Sequence, residues 1–203
     1  MRERWHKLAD RLNARESADP LFDALDALYA HPPRPYHNLT HIAACLDLLD
    51  QHRNLTKQPE AVELALWMHD CVYVPGRKDN EERSAKIARV FANQMNIDAA
   101  TTDAIEQWIL ATRHTSAPTT PDESLILDID MSILAAAPAD YDTYTRNIRT
   151  EFAFATDEQF KAGRGAFLRT LLTHPAIFFT PELHARFEQP ARANIQRELA
   201  AIQ

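Results

Sequence analysis

His69 and Asp70 stand side by side in Leu66-Trp67-Met68-His69-Asp70, directly before a loop from Cys71 to Asp79. An imidazole and a carboxylate at a helix end can converge on one cation, because the last turn is free to splay. Short pairs of this kind recur by chance, so their meaning rests on what else can reach the same point.

Two other stretches carry suitable groups. In Tyr36-His37-Asn38-Leu39-Thr40-His41 the two histidines are four apart, the spacing that puts them on one face of a helix. Both could bind one cation, or one could bind while the other acts as an acid beside it. The plainer alternative has His37 capping the helix start and His41 paired in the core. In Leu125-Ile126-Leu127-Asp128-Ile129-Asp130-Met131-Ser132-Ile133-Leu134, two carboxylates sit in an apolar helix, where an uncompensated charge is costly. Two residues apart, they point to different faces. The helical neighbours of Asp130 are Ile126, Leu127, Ile133 and Leu134, whereas those of Asp128 are half polar. Asp130 is therefore expected to be the buried carboxylate that needs a cation, and Asp128 a hydrogen-bonding group between helices.

His41, His69, Asp70 and Asp130 thus form a two-His, two-Asp set. Nitrogen and oxygen donors without thiolate suit one Mn²⁺, Co²⁺, Ni²⁺, Fe²⁺, Zn²⁺ or Mg²⁺ ion. Four protein ligands leave room for a water that the metal acidifies into a nucleophile. Arg77, Lys78, Asn80 and Glu81 follow the His-Asp pair closely enough to grip a phosphate and orient water, Lys78 being the preferred phosphate contact. His114 is a further candidate ligand or phosphate contact, or simply a polar helix end. Arg149 is expected to pair with Glu151 or Asp142, and Cys71 to be a small core residue.

The elements that must position these groups are helical almost throughout, with apolar residues at helical period and no convincing period-2 strand. Trp5, Leu8 and Leu12 mark a first helix, and Asp19-Pro20 opens a second. His31-Pro32-Pro33-Arg34-Pro35 ends it, a third starts near Asn38, and Pro59-Glu60 opens the helix that ends at His69-Asp70. Asp79 with Glu82 predicts a capping box for the next helix. Asp98 caps another, and Leu125 to Ala136 is the most apolar of the set. Helices through Tyr141 to Phe152 and Phe160 to Leu171 follow. Thr180-Pro181 caps the last one, which is expected to kink or break at Pro190. The prediction is an all-α, single-domain helical bundle spanning residues 1-203.

With 203 residues, 45% of them hydrophobic and 25% charged, the chain can bury a real core. A net charge of -7 argues against a broad nucleic-acid footprint. Two cysteines, Cys45 and Cys71, make no disulfide framework, and neither a signal peptide nor a membrane span is evident. A cytoplasmic protein without membrane or nucleic-acid duplex partners is expected, and a homodimer is compatible with the sequence.

The pattern His41, His69-Asp70, Asp130 resembles the H…HD…D ligand pattern of the HD superfamily of metal-dependent phosphohydrolases. Closer still is a bacterial subgroup of predicted HD phosphohydrolases. Its run is matched by Tyr36-His37-Asn38, His69-Asp70-Cys71-Val72-Tyr73, Asp79-Asn80-Glu81 with Ser84-Ala85, and Asp128 to Leu134. The match extends through Ile148-Arg149, Gly163-Arg164 and Ala191-Arg192-Asn194. Relatives carry Gly where this chain has Ala135, away from the ligands. The Tyr-His-Asn-x-x-His run is also similar to that of cyclic-nucleotide phosphodiesterases of the same superfamily. There the second His binds metal and the first protonates the leaving oxygen. Carried over, His41 is the ligand and His37 the general acid, with Lys78, Asn80 and Glu81 as further catalytic candidates. The resemblance implies an HD-domain-like fold and divalent-metal-dependent hydrolysis of a nucleotide or other small phosphorylated metabolite. A non-catalytic nucleotide sensor retaining the metal site is the alternative. Oxygenation on two metals would need more His ligands, for which His114 is the obvious spare.

Overall fold

A proline at the first helical position or a polar cap opens most of the elements, as the punctuation of the sequence requires. The computed structural model describes residues 1–32 and 34–202, so Pro33 of the expected helix break lies outside the described residues. The helices are α1 (Arg2–Arg11), α2 (Ala18–Ala30), α3 (Leu39–Gln51), α4 (Pro59–Met68), α5 (Asn80–Gln94), α6 (Ala99–Ala111), α7 (Pro121–Asp130), α8 (Pro138–Glu151), α9 (Asp157–Thr173) and α10 (Pro181–Ala201). Three short 3₁₀ turns, Arg15–Ser17, Arg53–Leu55 and Met131–Ala135, complete the regular structure, and no strand occurs among the described residues. The protein is an all-α bundle.

Helix α4 is the central element. Every residue from Ala61 to Met68 is buried, the signature of a helix that is apolar on all sides. Trp67 meets Trp5 edge-on at 5.4 Å between ring centroids and Phe22 at 6.5 Å. Each large side chain so enclosed contributes roughly 1.5–3 kcal/mol. Glu63, the one charge in this buried stretch, is neutralised by Arg11 and by Arg53 Nη1 at 2.6 Å. A second apolar cluster, including Leu134, Tyr141, Tyr144, Leu168 and Ile195, joins α8, α9 and α10 to the 3₁₀ turn. Phe187 packs against both clusters.

Several local expectations are corrected. Helix α2 starts at Ala18, and Asp19 turns its carboxylate to Arg2 and His6. Asp79 does not cap α5, because the Arg77 guanidinium holds both its oxygens at 2.7 Å. Asp98 does cap α6, accepting from the Thr101 amide at 3.0 Å. The apolar stretch after Leu125 is not one helix: it tightens to 3₁₀ geometry beyond Asp130. Helix α10 runs unbroken through Pro190, which is exposed, while Ala191, Asn194, Ile195 and Glu198 keep the following turns packed. No helix of the described residues is long and apolar enough to cross a membrane.

Candidate metal centre

The end of α4 is held so that His69 and Asp70 leave the helix in a defined direction. The unpaired carbonyls of a helix C-terminus need donors. Tyr29 donates its hydroxyl to the Trp67 carbonyl at 2.9 Å, and buried Arg34 donates to the carbonyls of Asp70 at 2.6 Å and Cys71 at 3.3 Å. The loop beyond is pinned to α5. The Val72 amide donates to Ser84 Oγ at 3.0 Å, and the Asn80 amide group pairs with both backbone groups of Val74 at 3.0 and 3.1 Å. On the other side, the Asn38 side chain accepts from the Thr40 amide at 2.8 Å and starts α3, which delivers His41.

His41 Nε2, His69 Nε2 and Asp130 Oδ1 converge. The two nitrogens are 3.3 Å apart and lie 3.2 and 3.4 Å from Asp130 Oδ1. Asp70 Oδ2 lies 3.2 Å from His69 Nε2 and 3.7 Å from His41 Nε2. Ligand atoms about 2.1 Å from a divalent ion are about 3.0 Å apart at adjacent corners of an octahedron and about 3.4 Å apart in a tetrahedron. The spacings among His41, His69 and Asp130 match those edges, while Asp70 lies farther from His41. His41, His69 and Asp130 each bring one donor atom within 4.8 Å of the others, with Asp70 joining through the imidazoles.

The hydrogen bonds behind the ligand atoms fit a cation as well. A carbonyl only accepts, so the 2.9 Å contact from His69 Nδ1 to the Leu66 carbonyl places the proton on Nδ1 and leaves a lone pair on Nε2. His41 Nδ1 is 3.2 Å from the Tyr36 hydroxyl, and an Nδ1–H donated to that oxygen frees Nε2 in the same way. Burial keeps the Tyr36 phenol protonated, raising its pKa well above the ordinary value. The donor set is two imidazole nitrogens and two carboxylates, which suits a divalent ion.

Without a cation, proton electrostatics take its place. Burial by itself would lower the His69 pKa, but the charges of Asp70 and Asp130 overcome this and raise it well above 6.5. Burial opposes ionisation of Asp70 and Asp130 too, yet His69 holds both below the ordinary carboxylate range, aided at Asp130 by His114 and His41.

Asp130 joins the donor set and Asp128 bonds to a neighbouring helix, as expected of each, but the expected order of burial is reversed. Asp128 is fully buried, whereas the Asp130 side chain is 16% exposed. The helical neighbour count fails because α-geometry ends at Asp130 and Ile133 and Leu134 follow a tighter turn. Asp128 accepts from the amides of Phe179 at 2.7 Å and Thr180 at 2.6 Å, serving the N-terminus of α10 in place of the Thr180 side chain.

His37 lies before the Asn38 cap, outside α3, so it does not share a helix face with His41. Its ring is stacked on Tyr73 with centroids 3.8 Å apart, and its Nδ1 is 2.6 Å from Glu151 Oε2. Glu151 also accepts from the amides of Tyr36 and His37 at 2.8 and 2.9 Å. Burial works against the Glu151 charge, but these donors outweigh it and lower its pKa. A carboxylate only accepts, so Nδ1 carries the proton and Nε2 is the nitrogen available to the cavity that His37 lines. Arg149 was expected to pair with Glu151 or Asp142, but Asp142 pairs with Arg197. Arg149 instead meets Asp157 at 2.7 Å and the carbonyls of Phe152 and Ala155.

The cavity has a volume of about 480 Å³, with His37, Asp70, Asp130 and His114 on its wall. His114 follows α6 with φ of 54° and sets its Nε2 2.8 Å from Asp130 Oδ2. Glu81 reaches the wall and lies 3.5 Å from Arg113. Lys78 is exposed and outside the wall, and Asn80 is occupied by Val74. The phosphate role expected of Lys78 and the water-orienting role expected of Asn80 are corrected accordingly. Glu151 and Tyr73 were missed as partners of His37, for no local pattern links residues so far apart in sequence.

The chain matches no protein-family model, no curated protein and no solved structure.

Proposed function

We propose that this protein is a divalent-metal-dependent phosphohydrolase of the HD type, acting on a small phosphate ester. The observation that carries the reading is the position of His37. It is oriented by Glu151 and lines the same cavity as Asp70 and Asp130 of the convergent donor set. A purely structural ion would be enclosed by protein, with no need of an open side or an adjacent acid.

His41, His69, Asp70 and Asp130 are the residues that would hold one divalent ion. Such an ion supplies a Lewis acid for a phosphoryl oxygen and makes water a nucleophile near neutral pH. In its doubly protonated form, with Nδ1–H on Glu151, His37 gives the Nε2 proton to the departing ester oxygen and is left as the Nδ1–H tautomer. Glu151 holds the ring by Nδ1–H and Tyr73 holds its plane, so the acid is in place before substrate arrives. His114 fixes the second oxygen of Asp130 and thereby the direction of the first. The buried free thiols Cys45 and Cys71 fit a reducing, cytoplasmic setting.

The test is phosphate release from a panel of phosphate esters by chelator-treated protein, alone and after adding Mn²⁺, Co²⁺, Ni²⁺ or Mg²⁺. Metal-restored turnover on at least one ester is expected. Tight metal binding with no hydrolysis of any ester would transfer the protein to the sensor reading.

A further inference from the structure

The wall of the cavity away from the donor set is built for contact area. Ile133 and Leu134 come from the 3₁₀ turn, Ile148 from the end of α8, Phe152 from the turn after it, and Phe160 and Phe167 from α9. Phe167 remains 39% exposed, an unusual condition for a large apolar ring beside a cavity.

Most polar groups on this side are already engaged within the protein, the Gln159 side-chain nitrogen being the exception. Gln159 Oε1 accepts from the Thr156 amide at 3.0 Å, closing a capping box at the start of α9. The Thr112 hydroxyl donates to the Ile109 carbonyl at 2.7 Å. Arg164 is the only lysine or arginine on the wall among the described residues. Its charge is neutralised by a two-pronged pair with Glu198 at 2.8 and 3.1 Å, and it donates to the Tyr144 hydroxyl at 3.1 Å. The other charged side chains on the wall, Asp70, Glu81 and Asp130, are carboxylates and repel additional phosphates.

From this wall we infer the substrate class, resting on the phosphohydrolase reading above: a monoester with one phosphoryl group on an apolar, ring-sized body. One divalent ion is balanced by Asp70 and Asp130 and can bind the oxygen of one phosphoryl group, and no unpaired wall Lys or Arg is left to hold a second or third phosphate. A sugar and base would bring several polar groups against a wall with few free partners, and an unpaired buried polar group weakens binding. An apolar ring meets the aliphatic and aromatic wall without that cost. Of the nucleotide or other small phosphorylated metabolite expected from sequence, the wall favours the second.

The experiment is calorimetric and does not depend on turnover. Mn²⁺ alone is titrated first. The Mn²⁺-loaded protein is then titrated with two non-hydrolysable phosphonates sharing one head group, methylphosphonate and 1-naphthylmethylphosphonate, and with thymidine monophosphate under chemistry-free conditions at low temperature. The naphthyl compound is expected to bind at least about tenfold more tightly than the methyl compound. Thymidine monophosphate is expected to bind more weakly than the naphthyl compound. Phe167→Ser, at an exposed rim position, is expected to narrow the tenfold preference while leaving methylphosphonate affinity intact. Equal affinity for the two phosphonates, or a nucleotide that binds more tightly than the naphthyl compound, would overturn the apolar-body inference and leave the phosphohydrolase reading standing. No Mn²⁺ binding, or Mn²⁺ binding with no phosphonate bound, would overturn both.

Discussion

His37 Nδ1 and Glu151 Oε2 lie 2.6 Å apart although 114 residues separate them in the chain. The contact joins the segment before α3 to the last residue of α8, and so ties the elements that carry the donor set to the cluster formed by α8, α9 and α10. Glu151→Gln presents an amide donor to Nδ1 and removes the preference for Nδ1–H. The variant is expected to keep full metal occupancy and to lose turnover on esters with poor leaving groups. A loss of about 10²–10⁴-fold is the range for a missing general acid. On 4-nitrophenyl phosphate, whose leaving group needs little protonation, the loss should be much smaller. Equal losses on both substrates would remove His37 from the role of acid.

The donor set makes its own prediction. His41→Ala, His69→Ala and Asp130→Ala should each lose the bound ion, read as metal per chain after dialysis. Asp128→Asn should keep it. Its amide group meets the Phe179 and Thr180 N–H groups that a carboxylate satisfies, so the expected result is a stability loss of about 1–3 kcal/mol in a denaturant titration. Retained metal in Asp130→Ala, with loss in Asp128→Asn, would reverse the assignment.

Chelated protein should show a pH dependence of stability that metal removes. A raised folded-state pKa at His69 contributes stability that is fully present below the ordinary 6.5 and is lost as pH rises through the folded value. Lowered values at Asp70 and Asp130 contribute stability present above the ordinary 3.8 and lost as pH falls through the folded values. The chelated protein is therefore most stabilised by this cluster between those limits, and its melting temperature should fall on the alkaline side. Mutual repulsion of Asp70 and Asp130, which from sequence alone would raise one carboxylate pKa, is outweighed by His69 between them. The holo-minus-apo gap in melting temperature should widen from mildly acidic to alkaline pH. A gap independent of pH would contradict this coupling.

Lys78→Ala should leave kcat/KM unchanged, since the side chain is exposed and outside the cavity wall. Asn80→Ala should lower stability by about 1–3 kcal/mol, because the Val74 amide loses its partner and the Val74 carbonyl keeps only the Arg77 amide. A large fall in kcat/KM for Lys78→Ala with stability intact would restore it as a phosphate contact.

Helical period, proline at helix starts and the cap at Asp98 made the all-α class and most of the helix order readable from sequence. These are local effects, decided within a few residues by backbone geometry and orphan amides. The grouping of His41, His69, Asp70 and Asp130 was also legible, because imidazoles and carboxylates in apolar helices need compensation wherever the helices pack. What tertiary structure alone decided was which group each charge would meet. Asp128 became the more buried carboxylate because α10 arrives with two unpaired amides, and Asp130 reached the cavity because α7 tightens at its end. Glu151 went to His37 rather than Arg149 because the end of α8 packs against the turn before α3, bringing it two backbone amides and a ring nitrogen. Long-range pairing of this kind depends on how helices dock, a choice made by the summed packing of many apolar side chains and written in no single stretch of sequence.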